Sequence, residues 1–163
     1  KPFRDASRGP ASFPMTIVNI LQGLEAAIKL RWFDIGAFDL KEYIRWSMVE
    51  FGAMSWIVPG KFLALAGPVE APAGDHEVFV PPRDLIDTFQ ANSVKLVIRL
   101  NSKEYKAEEF TKHGIKHLDL KFRECCYPCP ATIEKFFFAA EREAGAIAVH
   151  CISGLCRTGM LIG

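Results

Sequence analysis

The apolar run Ala146-Ile147-Ala148-Val149-His150 leads directly into Cys151-Ile152-Ser153-Gly154-Leu155-Cys156-Arg157-Thr158-Gly159. This junction constrains the fold more than any other stretch. The run reads as a short buried strand. A loop containing glycine follows it, and the N-terminus of a helix follows the loop. In an open α/β sheet, ligands bind at the carboxyl ends of the strands. The junction therefore places Cys151 where chemistry is expected.

The upstream elements fit the same architecture. Trp56–Leu65 reads as strand, turn and strand around Pro59-Gly60. Residues 67–81 are rich in Pro, Gly and Ala and read as a surface loop. Pro82–Ala91 is helical, with proline early in the helix. Val94–Leu100 is a strong strand, Ala107–Lys112 a short helix stopped at Gly114, Ile115–Phe122 a strand, and Ala131–Ala144 a helix stopped at Gly145. Strands alternating with helices at this spacing predict an α/β fold, a central mostly parallel sheet flanked by helices. The first fifty residues differ. Residues 15–31 space Ile17, Ile20, Leu21, Leu24, Ile28 and Leu30 on one helical face. A second helix over 40–50 follows Asp39, a plausible N-cap with Glu42 three residues on, and Gly52 ends it. No strand accompanies these two helices.

Each residue type in the Cys151 loop suits phosphoryl transfer. A cysteine attacks phosphorus only as a thiolate. Inward-facing loop N–H groups and the positive end of the following helix lower the thiol pKa and cradle phosphate oxygens. Gly154 permits a backbone conformation closed to other residues. Arg157, six residues after the cysteine, offers a planar fork for two phosphate oxygens. Thr158 can give its hydroxyl to the thiolate, and His150 can orient the loop through backbone hydrogen bonds. Cys151 and Arg157 are thus the expected catalytic pair. Ile152, Ser153, Gly154, Leu155, Cys156, Arg157 and Thr158 form the expected phosphate cradle. The segment lacks the Gly-Lys-Ser/Thr of a nucleotide-binding loop.

The 20 basic and 19 acidic residues nearly cancel, so no global field points to nucleic acid or a membrane surface. No apolar run reaches the roughly 18 residues of a membrane span. Half the residues are hydrophobic and a quarter charged, which suits a globular core rather than disorder. The five cysteines all fall between Cys125 and Cys156. A secreted disulfide scaffold would spread them along the chain, so reduced, intracellular cysteines are expected.

The loop motif resembles that of dual-specificity protein phosphatases, and the rest of the chain resembles the cell-division-cycle-fourteen subgroup. Pro2-Phe3-Arg4-Asp5-Ala6-Ser7, Trp56-Ile57-Val58-Pro59-Gly60-Lys61-Phe62, Val97-Ile98-Arg99-Leu100-Asn101 and Gly145–Cys151 carry the likeness. The resemblance implies two tandem phosphatase-like domains joined by a long helix, with only the second catalytic. Residues 1–38 would end the first domain, 39–52 form the joining helix, and 53–163 begin the catalytic domain, so 1–52 precede it. It implies hydrolysis of phosphoserine and phosphothreonine at proline-directed sites, and of phosphotyrosine, through a phosphocysteine, in cell-cycle control. Partners would be phosphoproteins with a basic residue downstream of phosphoserine-proline, met by acidic side chains from a region holding Asp34, Asp39, Glu42 and Glu50. Neither metal nor cofactor is implied. The implied location is intracellular, in nucleus and cytoplasm, with centrosome or cytoskeleton as candidate sites.

The sequence departs from that pattern in three places. The family's general acid is an aspartate ahead of the 131–144 helix, where this chain has Glu124. The extra methylene moves the carboxyl by about 1 Å, a displacement that can cost on the order of a hundredfold. The other carboxylate nearby, Asp119, reads as structural. The loop Cys125-Cys126-Tyr127-Pro128-Cys129-Pro130 reads as a thiol-rich surface loop. Two alternatives are a zinc site completed by His113 or His117 and a redox partner for Cys151, together with Cys156. Finally, the chain lacks an initiating Met and Gly163 falls one turn into the helix after the motif. A fragment of a longer protein is the expectation. Three functions follow in order: an active phosphatase, a catalytically weak phosphopeptide binder, and a zinc-stabilised interaction domain.

Overall fold

The computed structural model describes residues 1–4, 10–11, 14–48, 51–70, 80–124 and 126–163. Asp5, Ala6, Ser7, Glu50, Cys125 and most of the 67–81 loop lie outside the described residues. The chain divides into two compact units, Lys1–Leu40 and Lys41–Gly163.

In the first unit an antiparallel bridge joins Phe3 to Met15, and helix α1 runs Ile17–Lys29. Thr16 caps it reciprocally. The Asn19 N–H donates to Thr16 Oγ1 at 3.3 Å and the Thr16 N–H donates to Asn19 Oδ1 at 2.9 Å, satisfying donors that a helix start leaves open. Helix α1 is amphipathic as its spacing predicts, yet all its residues but Ala27 stay exposed.

The second unit takes in most of helix α2 (Leu40–Ser47), shorter than the 40–50 predicted. Trp46 of α2 packs against the core of this unit. Strands β1 (Ser55–Val58) and β2 (Phe62–Leu65) form the expected hairpin. Helix α3 (Pro82–Ala91), strand β3 (Val94–Arg99), the single turn α4 (Glu108–Thr111), strand β4 (Lys116–Asp119), helix α5 (Pro130–Arg142), strand β5 (Ala146–His150) and helix α6 (Cys156–Ile162) follow. The five strands make one sheet in the order β1-β2-β5-β3-β4. Only the β1–β2 pair is antiparallel.

Strand β5 lies at the centre, with β2 and β3 on either side. Alternation sends Ala146 and Ala148 into one core, with Leu65, Leu85, Phe89 and Phe110. Ile147, Val149 and Cys151 enter the other, with Leu96, Ile98 and Phe136. Both faces are thus covered, which is why the four residues Ala146–Val149 are all apolar.

Two boundaries differ from the sequence reading, for local reasons. Helix α5 stops at Arg142 rather than Ala144 because Lys61 caps it from the β1–β2 hairpin. Its ammonium donates to the carbonyls of Ala140 at 2.7 Å and Glu143 at 2.6 Å. Strand β4 ends at Asp119 rather than Phe122. Beyond it the N–H groups of Leu120 and Phe122 donate to the Arg99 and Leu100 carbonyls, without continuing the ladder.

Candidate active site

Cys151 leaves the carboxyl end of the central strand, and its side chain is 2 % exposed. The loop Ile152–Leu155 then turns into α6. Gly154 sits at φ +73°, and a side chain there would overlap the Leu65 carbonyl, so only glycine fits. Gly67, after β2, backs the loop from the same side. Its N–H donates to the Ile152 carbonyl at 2.8 Å, and a Cβ on it would overlap the Cys151 carbonyl oxygen. Strand β2 thereby holds the loop's shape by backbone contact.

The thiol is tuned by opposing influences. Burial pushes the Cys151 pKa up. The Thr158 hydroxyl, the N–H groups of Thr158 and Gly154, and the Arg157 charge push it down, and the net shift is downward. A buried thiol would ordinarily be inert; this one is drawn toward the thiolate.

Arg157 is 5 % exposed. Its Nη1 donates to the carbonyls of Phe122 at 3.2 Å and Leu100 at 3.4 Å. Its Nε–H is buried with no acceptor among the described residues. Thr158 Oγ is also buried, without a nitrogen or oxygen partner there, and its influence falls on the Cys151 sulfur. Unfilled buried donors are costly. The Arg157 Nε–H is such a donor, beside a thiol whose pKa is lowered, an arrangement that suits an anion.

The structure brings Cys151, Gly154, Arg157 and Thr158 together as buried groups. Ile152, Ser153 and Leu155 are exposed and contribute backbone only, while Cys156, half-buried, opens α6. Glu124 is exposed on the loop between β4 and α5, the loop whose Phe122 carbonyl receives Arg157. Asp119 lies at the end of β4 and receives Arg99 Nε and Nη2 at 2.7 and 3.1 Å. That pair, with one partner buried, outweighs the effect of burial and holds the Asp119 carboxyl below its usual range.

Sequence reading missed the polar cluster behind the nucleophile. His150 is fully buried, its Nδ1 3.1 Å from the Cys151 carbonyl and its Nε2 2.7 Å from the Tyr105 hydroxyl. The same hydroxyl lies 2.9 Å from His117 Nε2. Arg99 Nη1 donates to the Tyr105 carbonyl at 2.7 Å, and its guanidinium stacks over the Tyr105 ring at 4.5 Å. An arginine ending the apolar run Leu96-Val97-Ile98 of β3 was the available signal.

Among the cysteines, Cys126, Cys129, Cys151 and Cys156 are free. Cys129 precedes α5, and its thiol pKa is lowered by the Thr132 hydroxyl 3.2 Å away and by backbone N–H groups. Of the candidate zinc set, Cys125 lies outside the described residues. No three His, Cys, Asp or Glu gather at ligand range among the described residues, and His117 Nε2 is taken by Tyr105. No described helix is long and apolar enough to cross a membrane.

No protein-family model matches the chain. Individual relatives do. The chain is 42% identical over 164 residues to the dual-specificity protein phosphatase CDC14A of Mus musculus, covering 99% of this chain and 27% of the relative. It is 39% identical over 161 residues to the tyrosine-protein phosphatase cdc-14 of Caenorhabditis elegans, covering 98% and 23%. The chain therefore spans about a quarter of the length of these relatives. Among solved structures, a mutant form of Tk-PTP aligns with a TM-score of 0.50 at 21% identity, over 66% of each chain. P. aeruginosa TpbA aligns with a TM-score of 0.50 at 19% identity, over 67% of this chain and 59% of that one. These show a shared fold. The likeness runs through nearly all its residues, and the relatives it resembles are CDC14 dual-specificity and tyrosine protein phosphatases.

Proposed function

We propose that this chain carries the catalytic half-site of a cysteine-dependent protein phosphatase. The observation that carries the reading is the pairing of a thiol drawn toward the thiolate at Cys151 with an unfilled buried donor on Arg157. In the proposed reaction the Cys151 sulfur attacks phosphorus, the serine, threonine or tyrosine oxygen leaves, and a phosphocysteine forms. Arg157 and the loop N–H groups hold the equatorial oxygens, where charge spreads in the transition state. Glu124 gives a proton to the departing oxygen, then takes one from the water that frees Cys151.

Residues 53–163 would be the catalytic portion on this reading. Residues 1–52 would be the end of a non-catalytic domain and a joining helix. The substrates are phosphoproteins carrying phosphoserine or phosphothreonine before proline, with a basic residue downstream, in cell-cycle control. The sequence resemblance supports this finer assignment, and the relatives' names support protein phosphatase activity alone.

A second reading, a phosphopeptide binder with poor turnover, is favoured by the exposure of Glu124 on its loop. One experiment separates the two. Phosphate release is measured from an aryl phosphate and from a phosphoserine-proline peptide, using the wild type, Cys151→Ser and Glu124→Gln. Aryl oxygens leave with little protonation, so Glu124→Gln should spare that substrate and lose the peptide. Retained peptide binding with no turnover of either substrate by the wild type would replace the enzyme with the binder.

A further inference from the structure

The buried cluster behind Cys151 has a definite proton order. The Cys151 carbonyl can only accept, so His150 Nδ1, 3.1 Å away, carries a hydrogen. Burial keeps His150 neutral, its pKa pushed down to about 4. Its Nε2 is then bare and must accept from the Tyr105 hydroxyl at 2.7 Å. That uses the single phenolic proton, which burial holds on the oxygen by raising the Tyr105 pKa. The Tyr105 oxygen can therefore only accept from His117 Nε2 at 2.9 Å. Burial, the largest influence, also holds His117 neutral near neutral pH, with a pKa of about 4.

We propose that His117 and Tyr105 are positioning residues for the Cys151 nucleophile. They act through a one-way hydrogen-bond chain: His117 Nε2–H to Tyr105, Tyr105 O–H to His150 Nε2, and His150 Nδ1–H to the Cys151 carbonyl. The proposal rests on the phosphatase reading for its purpose, because it concerns how the attacking sulfur is held. The chain starts at a half-buried histidine on β4 and ends on the nucleophile's own peptide group. Fixing that carbonyl fixes the peptide plane from which the phosphate loop departs. Gly67 packs against the same carbonyl, and its N–H holds the next carbonyl, Ile152. The loop N–H groups that favour the thiolate thus inherit their aim from the chain. Each bond in such a series polarises the next. The charges facing it are Arg99 on β3, which stacks over the tyrosine ring, and Asp119 on β4, which pairs with Arg99. Lys103 and Glu108 act on His117 from the β3–α4 segment.

Two measurements test the proposal. The first is long-range nitrogen–proton NMR on the wild-type protein at pH 7. It should find the hydrogen on Nδ1 of His150 and on Nε2 of His117. The opposite tautomer at either ring, or a cationic ring, overturns the proposed order. The second is the pH profile of Cys151 alkylation by iodoacetamide, followed by mass spectrometry of its peptide. Tyr105→Phe and His117→Leu should each slow alkylation at pH 6 by about tenfold, the effect of losing one net hydrogen bond. His117→Gln keeps an N–H near the Nε2 position and should restore the wild-type profile. In a Tyr105→Phe background the two His117 variants should become indistinguishable. A wild-type profile in folded His117→Leu, or a Gln variant that behaves as Leu does, sinks the positioning role. If a variant fails to fold, the wild-type tautomers decide alone. Neither readout needs turnover, so failure of the phosphatase reading would show separately, as a wild-type Cys151 that alkylates only in the range of an ordinary thiol.

Discussion

Arg157 Nη1 donates to the Phe122 carbonyl at 3.2 Å, fastening the arginine of the phosphate loop to the segment that leads to Glu124. The bond turns the guanidinium so that one edge is held by protein and its Nε–H stays unfilled. On the proposed reading, nucleophile loop and acid-bearing loop are thus joined through the group that would hold the phosphoryl oxygens.

Arg157→Lys should therefore separate binding geometry from charge. Lysine keeps the positive charge but cannot donate to Phe122 and to two phosphate oxygens through a planar fork. We expect kcat on an aryl phosphate to fall by about 10³ or more, the scale of an arginine acting on transferring phosphoryl groups. A loss below tenfold would mean that charge alone suffices and the Phe122 tether is incidental.

Two glycines should respond in opposite directions. Gly67→Ala drives a methyl group into the Cys151 carbonyl. It should cost about 1–3 kcal/mol of stability and most of the activity, because the loop must shift. Gly159→Ala meets nothing within 4 Å on α6 and should gain up to about 1 kcal/mol by helix propensity. Equal effects of the two on urea midpoints would show that the wall formed after β2 does not shape the loop.

Thr158→Val tests whether the buried hydroxyl serves the thiol rather than the fold. The hydroxyl has no nitrogen or oxygen partner among the described residues, so an isosteric methyl group should leave stability unchanged or raise it by up to about 1 kcal/mol. The same change removes the foremost influence lowering the Cys151 pKa. Alkylation of Cys151 should then move to higher pH, with Thr158→Ser close to wild type. A destabilised Val variant with an unmoved alkylation profile would assign the hydroxyl to the fold.

The central sheet was legible because its strands are short, apolar and punctuated. Val94–Arg99 and Ala146–His150 announce burial on both faces, and Pro and Gly mark the β1–β2 hairpin. The course of the Cys151 loop was legible because an apolar run, a glycine and a helix start follow in order. What stayed hidden depends on contacts distant in sequence. Lys61 ends α5 from 79 residues away, and Tyr105 meets His150 across 45. His117 appeared in sequence as a possible zinc ligand, whereas its ring faces Tyr105. No periodicity encodes such pairings. Glu124 marks the same limit, since its position could be counted but the reach of its carboxylate could not.

His150 makes the fold sensitive to acid in a defined window. Burial lowers its pKa from an ordinary 6.5 to about 4. Between those values the unfolded chain binds a proton that the folded chain refuses. Stability is therefore complete above about pH 6.5 and declines as pH falls toward 4. From pH 7.5 to 5.5 this one group should remove about 1.3 kcal/mol. His117, lowered to about 4 by the same dominant cause, acts in the same direction, reduced by its partial exposure. Asp119 and Glu143, both held below their usual carboxylate values of 3.8 and 4.5, lose their contributions only at lower pH. Urea midpoints at pH 7.5, 6.5 and 5.5 should accordingly fall in step. In His150→Asn, whose amide can still reach the Cys151 carbonyl, most of that slope should vanish. A wild-type midpoint that is flat across the window would mean that His150 takes up its proton in the folded state, and the neutral ring on which the proton order depends would be lost with it.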